Sequence, residues 1–339
     1  MKRSGHALCL GLLTLFALHV GGGKAAGWEP DPGGNFTVGT ITAQAGERAQ
    51  GFLEVPAGPD GSTQIPVTLL HGSRPGPVLA LVAGTHGYEY APIVALQRLT
   101  PRLDPREISG TVIVVHVANM PSFLKRTIYY SPVDGKNLNR VYPGRADGTL
   151  SERIAYVITK EIIERADYLV DLHCGDGNEA LRPYTYWMKG GDARVDEASK
   201  QLALAFGLDH IVIDTERPSD PARSVYCANT AITRGKPAIT TETGQLGETS
   251  PEWTGLVERG VWNLLRHLKM IPGGGICQVS TTAFRAAMQS GMKVTYRRNH
   301  SYPVKYYGTP GYDATVYQPF PDFRFVNDTK NPVLLKTSI

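Results

Sequence analysis

Apolar residues fall into short blocks along the chain, separated by turn-forming residues. The segments Phe52-Leu53-Glu54-Val55 and Ile65-Pro66-Val67-Thr68-Leu69-Leu70 flank the turn Gly58-Pro59-Asp60-Gly61 and predict a pair of short strands. Val78 to Ala83 and Thr111 to Val117 are continuous apolar runs of strand length, and Ala91 to Leu99 between them begins a helix. From Leu150 to Ala166, residues Ile154, Val157, Ile158 and Ile162 recur at three- and four-residue intervals, which predicts a helix with one apolar face. Tyr168 to His173, Ile211 to Asp214 and Ala238 to Glu242 continue the strands. A last helix places Trp253, Leu256, Val257, Leu264, Leu265 and Leu268 on one stripe. Strands that are apolar without alternation belong to a sheet covered on both faces. Residues 39–271 therefore predict an α/β domain, a mixed, mostly parallel sheet flanked by helices. Pro272-Gly273-Gly274-Gly275 breaks this pattern. Beyond it, turn signals at Thr309-Pro310-Gly311 and Asn327-Asp328 predict a helix from Ser280 to Ser290 followed by a small β-rich tail over residues 272–339.

The composition, 42% hydrophobic and 19% charged over 339 residues, is that of a folded globular protein. Residues 1–25 read as a secretory signal peptide: Lys2 and Arg3 precede an apolar run from Ala7 to Val20, and Gly23-Lys24-Ala25 offers small residues for cleavage. The expected location is secreted or periplasmic. Loss of Lys2, Arg3 and Lys24 takes the formal charge from +4 to +1, which gives no electrostatic basis for binding nucleic acid. No later stretch approaches the roughly 20 apolar residues of a bilayer span, so no integral membrane span is expected after cleavage. Cleavage leaves Cys174, Cys227 and Cys277, an odd number without a C-x-x-C pair, so neither a disulfide framework nor a zinc knuckle is implied.

Residues suited to chemistry cluster at the ends of the predicted strands, where an open α/β sheet places its ligands. His86 and Glu89 in Gly84-Thr85-His86-Gly87-Tyr88-Glu89 can aim an imidazole and a carboxylate at one point, and His173 in Asp171-Leu172-His173-Cys174-Gly175 supplies a second imidazole. Two histidines and one glutamate form a three-ligand zinc site with an open position for water. Glu242, in Thr241-Glu242-Thr243-Gly244, could serve as general base on that water. Each signal taken singly has a plainer reading, because H-x-x-E is common and a strand-end histidine often just hydrogen-bonds a neighbour. Asp171 either orients His173 or supports a turn, and Cys174 suits a small buried position. The loop Asp134-Gly135-Lys136-Asn137-Leu138-Asn139-Arg140, followed by Tyr142-Pro143-Gly144, offers Asn139 and Arg140 to a substrate carboxylate. Arg126, upstream, could stabilise an oxyanion.

Taken together, the Gly84 to Glu89, Asp134 to Gly144, Asp171-Leu172-His173 and Thr241 to Gly244 motifs resemble the succinylglutamate desuccinylase/aspartoacylase family of the zinc carboxypeptidase superfamily, over residues 39–271. The resemblance implies a zinc carboxypeptidase-like fold with one Zn2+ per chain, held by His86, Glu89 and His173. It also implies Glu242 as general base and acid, Asn139 and Arg140 on a substrate carboxylate, and Arg126 polarising the scissile carbonyl. The expected activity is that of a secreted zinc-dependent amidohydrolase, hydrolysing an amide bond of a small carboxylate-bearing substrate of the N-acyl amino acid type with zinc-activated water. The alternatives are a zinc carboxypeptidase acting on peptides or cell-wall muropeptides, and an inactive envelope-binding protein. Family members usually continue into a β-rich domain that covers the site. Here Gly273 to Thr282, Arg298-Asn299-His300-Ser301 and Asp313-Ala314-Thr315-Val316 instead resemble the C-terminal part of VanW-like proteins, which points to cell-wall association through residues 272–339. Cys277, His300 and Asp313 invite a nucleophile, base and orienter reading. The plainer alternative is a buried cysteine at a helix start, with His300 and Asp313 in turn contacts.

Overall fold

The computed structural model of the protein describes residues 34–272, 276–299, 312–315 and 324–326. The signal segment 1–25, His300 and the side chain of Cys277 lie outside the described residues. A small hairpin of β1 (Phe36–Val38) and β2 (Ile41–Ala43) precedes the main sheet. That sheet has eight strands: β3 (Glu47–Gly58), β4 (Gly61–His71), β5 (Arg74–Ala83), β6 (Ser109–Val115), β7 (Tyr168–His173), β8 (Tyr184–Met188), β9 (Ile211–Asp214) and β10 (Ala238–Glu242). Their order is β3-β4-β6-β5-β7-β10-β8-β9. The central run β6-β5-β7-β10 is parallel. β4 joins it antiparallel to β6, β8 joins antiparallel to β10, and β9 pairs parallel with β8, so the sheet is mixed and mostly parallel as the sequence predicts.

Parallel strands need crossovers, and helices supply them on both faces. They are α1 (Tyr90–Leu99), α2 (Met120–Lys125), α3 (Leu150–Ile158), α4 (Ala193–Phe206), α5 (Cys227–Ile232) and α6 (Pro251–His267). The twofold alternation of β5 divides the core. Val78, Ala80 and Val82 pack with Ile154 and Ile158 of α3 and Ala228 and Ala231 of α5. Leu79, Leu81 and Ala83 pack on the other face with Leu96 of α1, Leu202 of α4 and Leu264 of α6. Helices α4 and α6 approach closely at Gly260, where a Cβ would lie 2.3 Å from the Phe206 ring.

Several elements differ from the sequence reading. The helix predicted over Leu150 to Ala166 is α for nine residues and then widens into a π turn over Thr159–Ile163. The run to Val117 leaves the sheet at Val115. The strand β8 and the helices α2, α4 and α5 carried no clear pattern. In α4 the buried positions are Val195, Asp196, Ser199, Leu202, Ala203 and Phe206, half of them polar or small, so the apolar face is narrow. Past Pro272, α7 (Ile276–Gln289) begins earlier than the predicted Ser280. β11 (Lys293–Tyr296) pairs antiparallel with β12 (Arg324–Val326), giving a small C-terminal sheet. Ser280 and Thr281 hydroxyls of α7 both donate to the Ala314 carbonyl, and Asp313 beside it is buried. No helix among the described residues is long and apolar enough to cross a membrane.

Candidate metal centre

β5 ends at Ala83, and Gly84 turns the chain with φ 70°, its backbone close against Val117. The loop then lies directly on α2: a Cβ on Gly87 would stand 2.2 Å from the Ser122 carbonyl oxygen. This close approach fixes His86 on one side of Gly87 and Glu89, which precedes α1, on the other. On β7 the twofold period puts Asp171 and His173 on the same face. On β10 the same period puts Glu242 on the face of Ala238, and parallel pairing makes Glu242 the register partner of His173.

The three expected ligands converge. Glu89 Oε1 is 2.6 Å from His86 Nδ1, and Glu89 Oε2 is 2.7 Å from His173 Nδ1. All three side chains are buried, and their ligand atoms lie within 4.8 Å of one another. The far nitrogens face outward onto acceptors, His86 Nε2 at 3.1 Å from Asn137 Oδ1 and His173 Nε2 at 3.0 Å from Asp171 Oδ2. Such carboxylate and amide partners orient an imidazole so that its other nitrogen is offered to a metal. His173 Nδ1 and Glu89 Oε2 are close without hydrogen-bond alignment, which leaves that buried oxygen without a donor. The donor set of two imidazoles and one carboxylate, with an orphaned oxygen among them, fits a divalent cation such as zinc.

Electrostatics follow from this crowding. Burial opposes charge on Glu89, but the two imidazoles outweigh it and hold the carboxyl at about 2. Burial likewise opposes an imidazolium at His173, and the carboxylates of Asp171 and Glu89 overcome it, raising His173 well above its ordinary value. Burial pushes Glu242 up to about 8, with His173 opposing the rise and Glu89 and Glu179 reinforcing it. Glu242 Oε2 is also buried without a hydrogen bond.

The triad and Glu242 line a cleft of about 260 Å³ that is also walled by Tyr129, Arg140, Glu179, Tyr184, Arg217 and Tyr226. Arg140 donates to the Asn139 carbonyl at 2.8 Å and lies 4.8 Å from the centre of the Tyr226 ring. Asn139 also lines the cleft. Its Oδ1 accepts from the Cys227 N–H at 2.8 Å and its Nδ2 lies 3.4 Å from both Asp171 Oδ2 and His173 Nε2, so both ends of the amide are held by protein beside His173. Arg126 is not among the residues lining the cleft; it is exposed at the end of α2, with φ 54°. The cleft instead contains Arg217, whose Nε is 2.5 Å from Asp214 Oδ2 and whose guanidinium lies 3.7 Å from the Tyr226 ring centre. Nothing in Thr215-Glu216-Arg217-Pro218 marks it in sequence, and Tyr129, Glu179 and Tyr184 are equally silent. Cys174 and Cys227 are buried free thiols, both raised by burial, as befits inert packing positions.

Residues 75–268 match the succinylglutamate desuccinylase/aspartoacylase catalytic domain, and residues 252–339 match VanW like protein. The N-alpha-acetyl-L-2,4-diaminobutyric acid deacetylase of Halomonas elongata is 34% identical over 241 residues, covering 69% of this chain and 68% of that protein. A succinylglutamate desuccinylase/aspartoacylase from Rhodobacter sphaeroides superposes with a TM-score of 0.60 at 30% identity, over 67% of each chain. The product-bound ectoine utilization protein EutE (DoeB) from Ruegeria pomeroyi gives 0.59 at 30% identity, over 67% of this chain and 68% of that one. The chain belongs to the succinylglutamate desuccinylase/aspartoacylase family. Members of that family are deacylases, which makes this protein a hydrolase of the amidohydrolase type.

Proposed function

We propose that the protein is a zinc-dependent deacylase that hydrolyses the amide bond of a small N-acyl amino acid. The observation that carries this reading is the convergence of His86, Glu89 and His173 beneath a cleft that also holds Glu242, the register partner of His173. Bound zinc would supply Lewis acidity to a water and to the amide carbonyl. Glu242 takes the proton from the attacking water and returns it to the leaving amine. The low-dielectric surroundings that disfavour its charge also make it a stronger base once ionised. Arg140 receives the substrate carboxylate, since its planar fork suits two parallel hydrogen bonds. Asn139, at the cleft wall, holds Asp171 and with it the His173 ring. Export through residues 1–25 and association of residues 272–339 with cell-wall material belong to the same proposal, the first resting on the charge and hydropathy of that segment and the second on the VanW-like match.

The test is hydrolysis of a panel of N-acetyl amino acids by protein stripped with a chelator and then reloaded. Loss on stripping and recovery with zinc is the expected result. Amide hydrolysis that persists in metal-free protein would overturn the reading. Sequencing the amino terminus of the protein recovered from outside the cytoplasm checks export.

A further inference from the structure

The cleft contains a cation and an anion that the protein leaves without counter-ions. Arg140 has a backbone carbonyl and the Tyr226 ring as neighbours but no carboxylate partner among the described residues. By contrast, Arg217 is neutralised by Asp214, and Lys136, at the mouth, by Glu152 at 3.1 Å. Glu179 accepts from the Asp176 N–H at 3.2 Å and is also hydrogen-bonded with the Tyr129 hydroxyl, but it has no cationic partner among the described residues. Arg140 and Glu179 both line the inner cleft and the wider mouth of about 540 Å³, yet they form no ion pair with each other. Glu179 stands close enough to the site for its charge to act on Glu242 and on Tyr184.

An unpaired charge of each sign on the lining of one cleft, Arg140 exposed and Glu179 half-buried, is the complement of a ligand that carries both signs. A substrate with a carboxylate alone would satisfy Arg140 and be repelled by Glu179; one with a carboxylate and an ammonium would satisfy both. We propose that Glu179 is a specificity-determining residue that receives a free ammonium group, so that the substrate class is an N-acyl diamino acid with its second amine unacylated. This rests on the deacylase reading above and narrows it. The cleft that carries both charges is also lined by aromatic rings, Tyr129 among them, edge-on to His86 at 5.9 Å between ring centres, which suits the methylene stem joining the substrate's charged ends.

The experiment compares three N-acetyl amino acids of matched shape on zinc-loaded protein: N-α-acetyl-2,4-diaminobutyrate, its uncharged isostere N-acetylnorvaline and the acidic N-acetylglutamate. The parent should prefer the ammonium compound over the isostere by about 10- to 100-fold in kcat/KM, the range of one hydrogen bond to a charged group. Glu179→Gln keeps an acceptor for the Asp176 N–H and should collapse that ratio, whereas Glu179→Asp should retain its direction and Glu179→Lys should turn preference toward N-acetylglutamate. Binding of the same three compounds to zinc-loaded Glu242→Gln protein, with and without Glu179→Gln, reads the charge preference without turnover. Hydrolysis with no ammonium preference, or a ratio unmoved by Glu179→Gln, overturns the assignment of Glu179 and leaves the deacylase reading standing. An ammonium preference in binding without hydrolysis of any compound overturns the deacylase reading and supports Glu179. Neither binding nor hydrolysis of any of the three overturns both.

Discussion

The side-chain oxygen of Asn139 accepts a hydrogen bond from the backbone N–H of Cys227, 88 residues away in the chain, at 2.8 Å. The same amide donates to Asp171, which faces His173. A single buried side chain thus ties the start of α5 to the strand that presents a candidate ligand. Asn139→Ala should cost about 1–3 kcal/mol of stability, because it strands the Cys227 N–H and loosens Asp171. It should also weaken zinc affinity by about 10- to 100-fold, the usual effect of disturbing a ligand's outer partner. Chemical denaturation and a competitive zinc titration measure the two; loss of substrate affinity with zinc affinity intact would instead return Asn139 to the substrate.

Glu242→Gln separates the base from the ligands. Glu242 is not in the convergent triad, so the variant should retain zinc while losing about 10²- to 10⁴-fold in kcat. Metal content by elemental analysis beside turnover checks it, and full turnover with full metal removes Glu242 from the mechanism.

Metal binding should release protons and strengthen as pH rises. In the metal-free protein, His173 is raised well above its ordinary value and Glu242 to about 8, so both hold protons at neutral pH. A cation needs the His173 lone pair and favours the Glu242 anion, so binding expels those protons and apparent affinity rises up to about tenfold per pH unit for each one released. Lowering pH therefore weakens binding. Calorimetry in buffers of different ionisation heat should find more protons released at about pH 6.5 than at about pH 9, where Glu242 is already ionised; equal release at both would contradict the assignment to Glu242.

The two arginines of the loop region should behave oppositely. Arg140→Ala should raise KM for carboxylate-bearing substrates by about 10- to 100-fold, since a charged hydrogen bond is lost from the cleft. Arg126→Ala, an exposed substitution, should change kcat/KM by no more than about twofold. Steady-state kinetics on one N-acyl substrate tells them apart, and a large loss from Arg126→Ala would mean that the α2 end reaches the cleft in the working enzyme.

Gly260→Ala tests the packing that holds the sheet's outer layer. The new methyl meets the Phe206 ring from 2.3 Å, so α4 and α6 must part or the ring must leave its rotamer, at a cost of about 1–3 kcal/mol. A lowered denaturation midpoint with unchanged zinc affinity is the expected result.

The central strands were legible because both faces of β5, β7 and β10 are covered, which forces near-continuous apolar runs whose bounds the eye can follow. The ligands were legible for a related reason. A polar residue that ends an apolar strand, such as His173 or Glu242, interrupts an obvious pattern. β8 and α4 lie toward the edge, where half-buried residues such as Tyr184, Tyr186 and Trp187 blur the period. The cleft walls were opaque because Tyr129, Glu179 and Arg217 come from three separate loops, and only the sheet order brings them together. Arg126 shows the converse: it lies fourteen positions before Arg140, but a left-handed turn at the end of α2 leaves it exposed and off the lining of the cleft.

The outward nitrogens of His86 and His173 are each gripped by a different part of the chain, one by the Asn137 loop and one by the strand that carries Asp171. Protein groups thus hold both rings from the side away from Glu89, so folding and metallation should be separable. Chelation should return a native-like, inactive protein instead of an unfolded one.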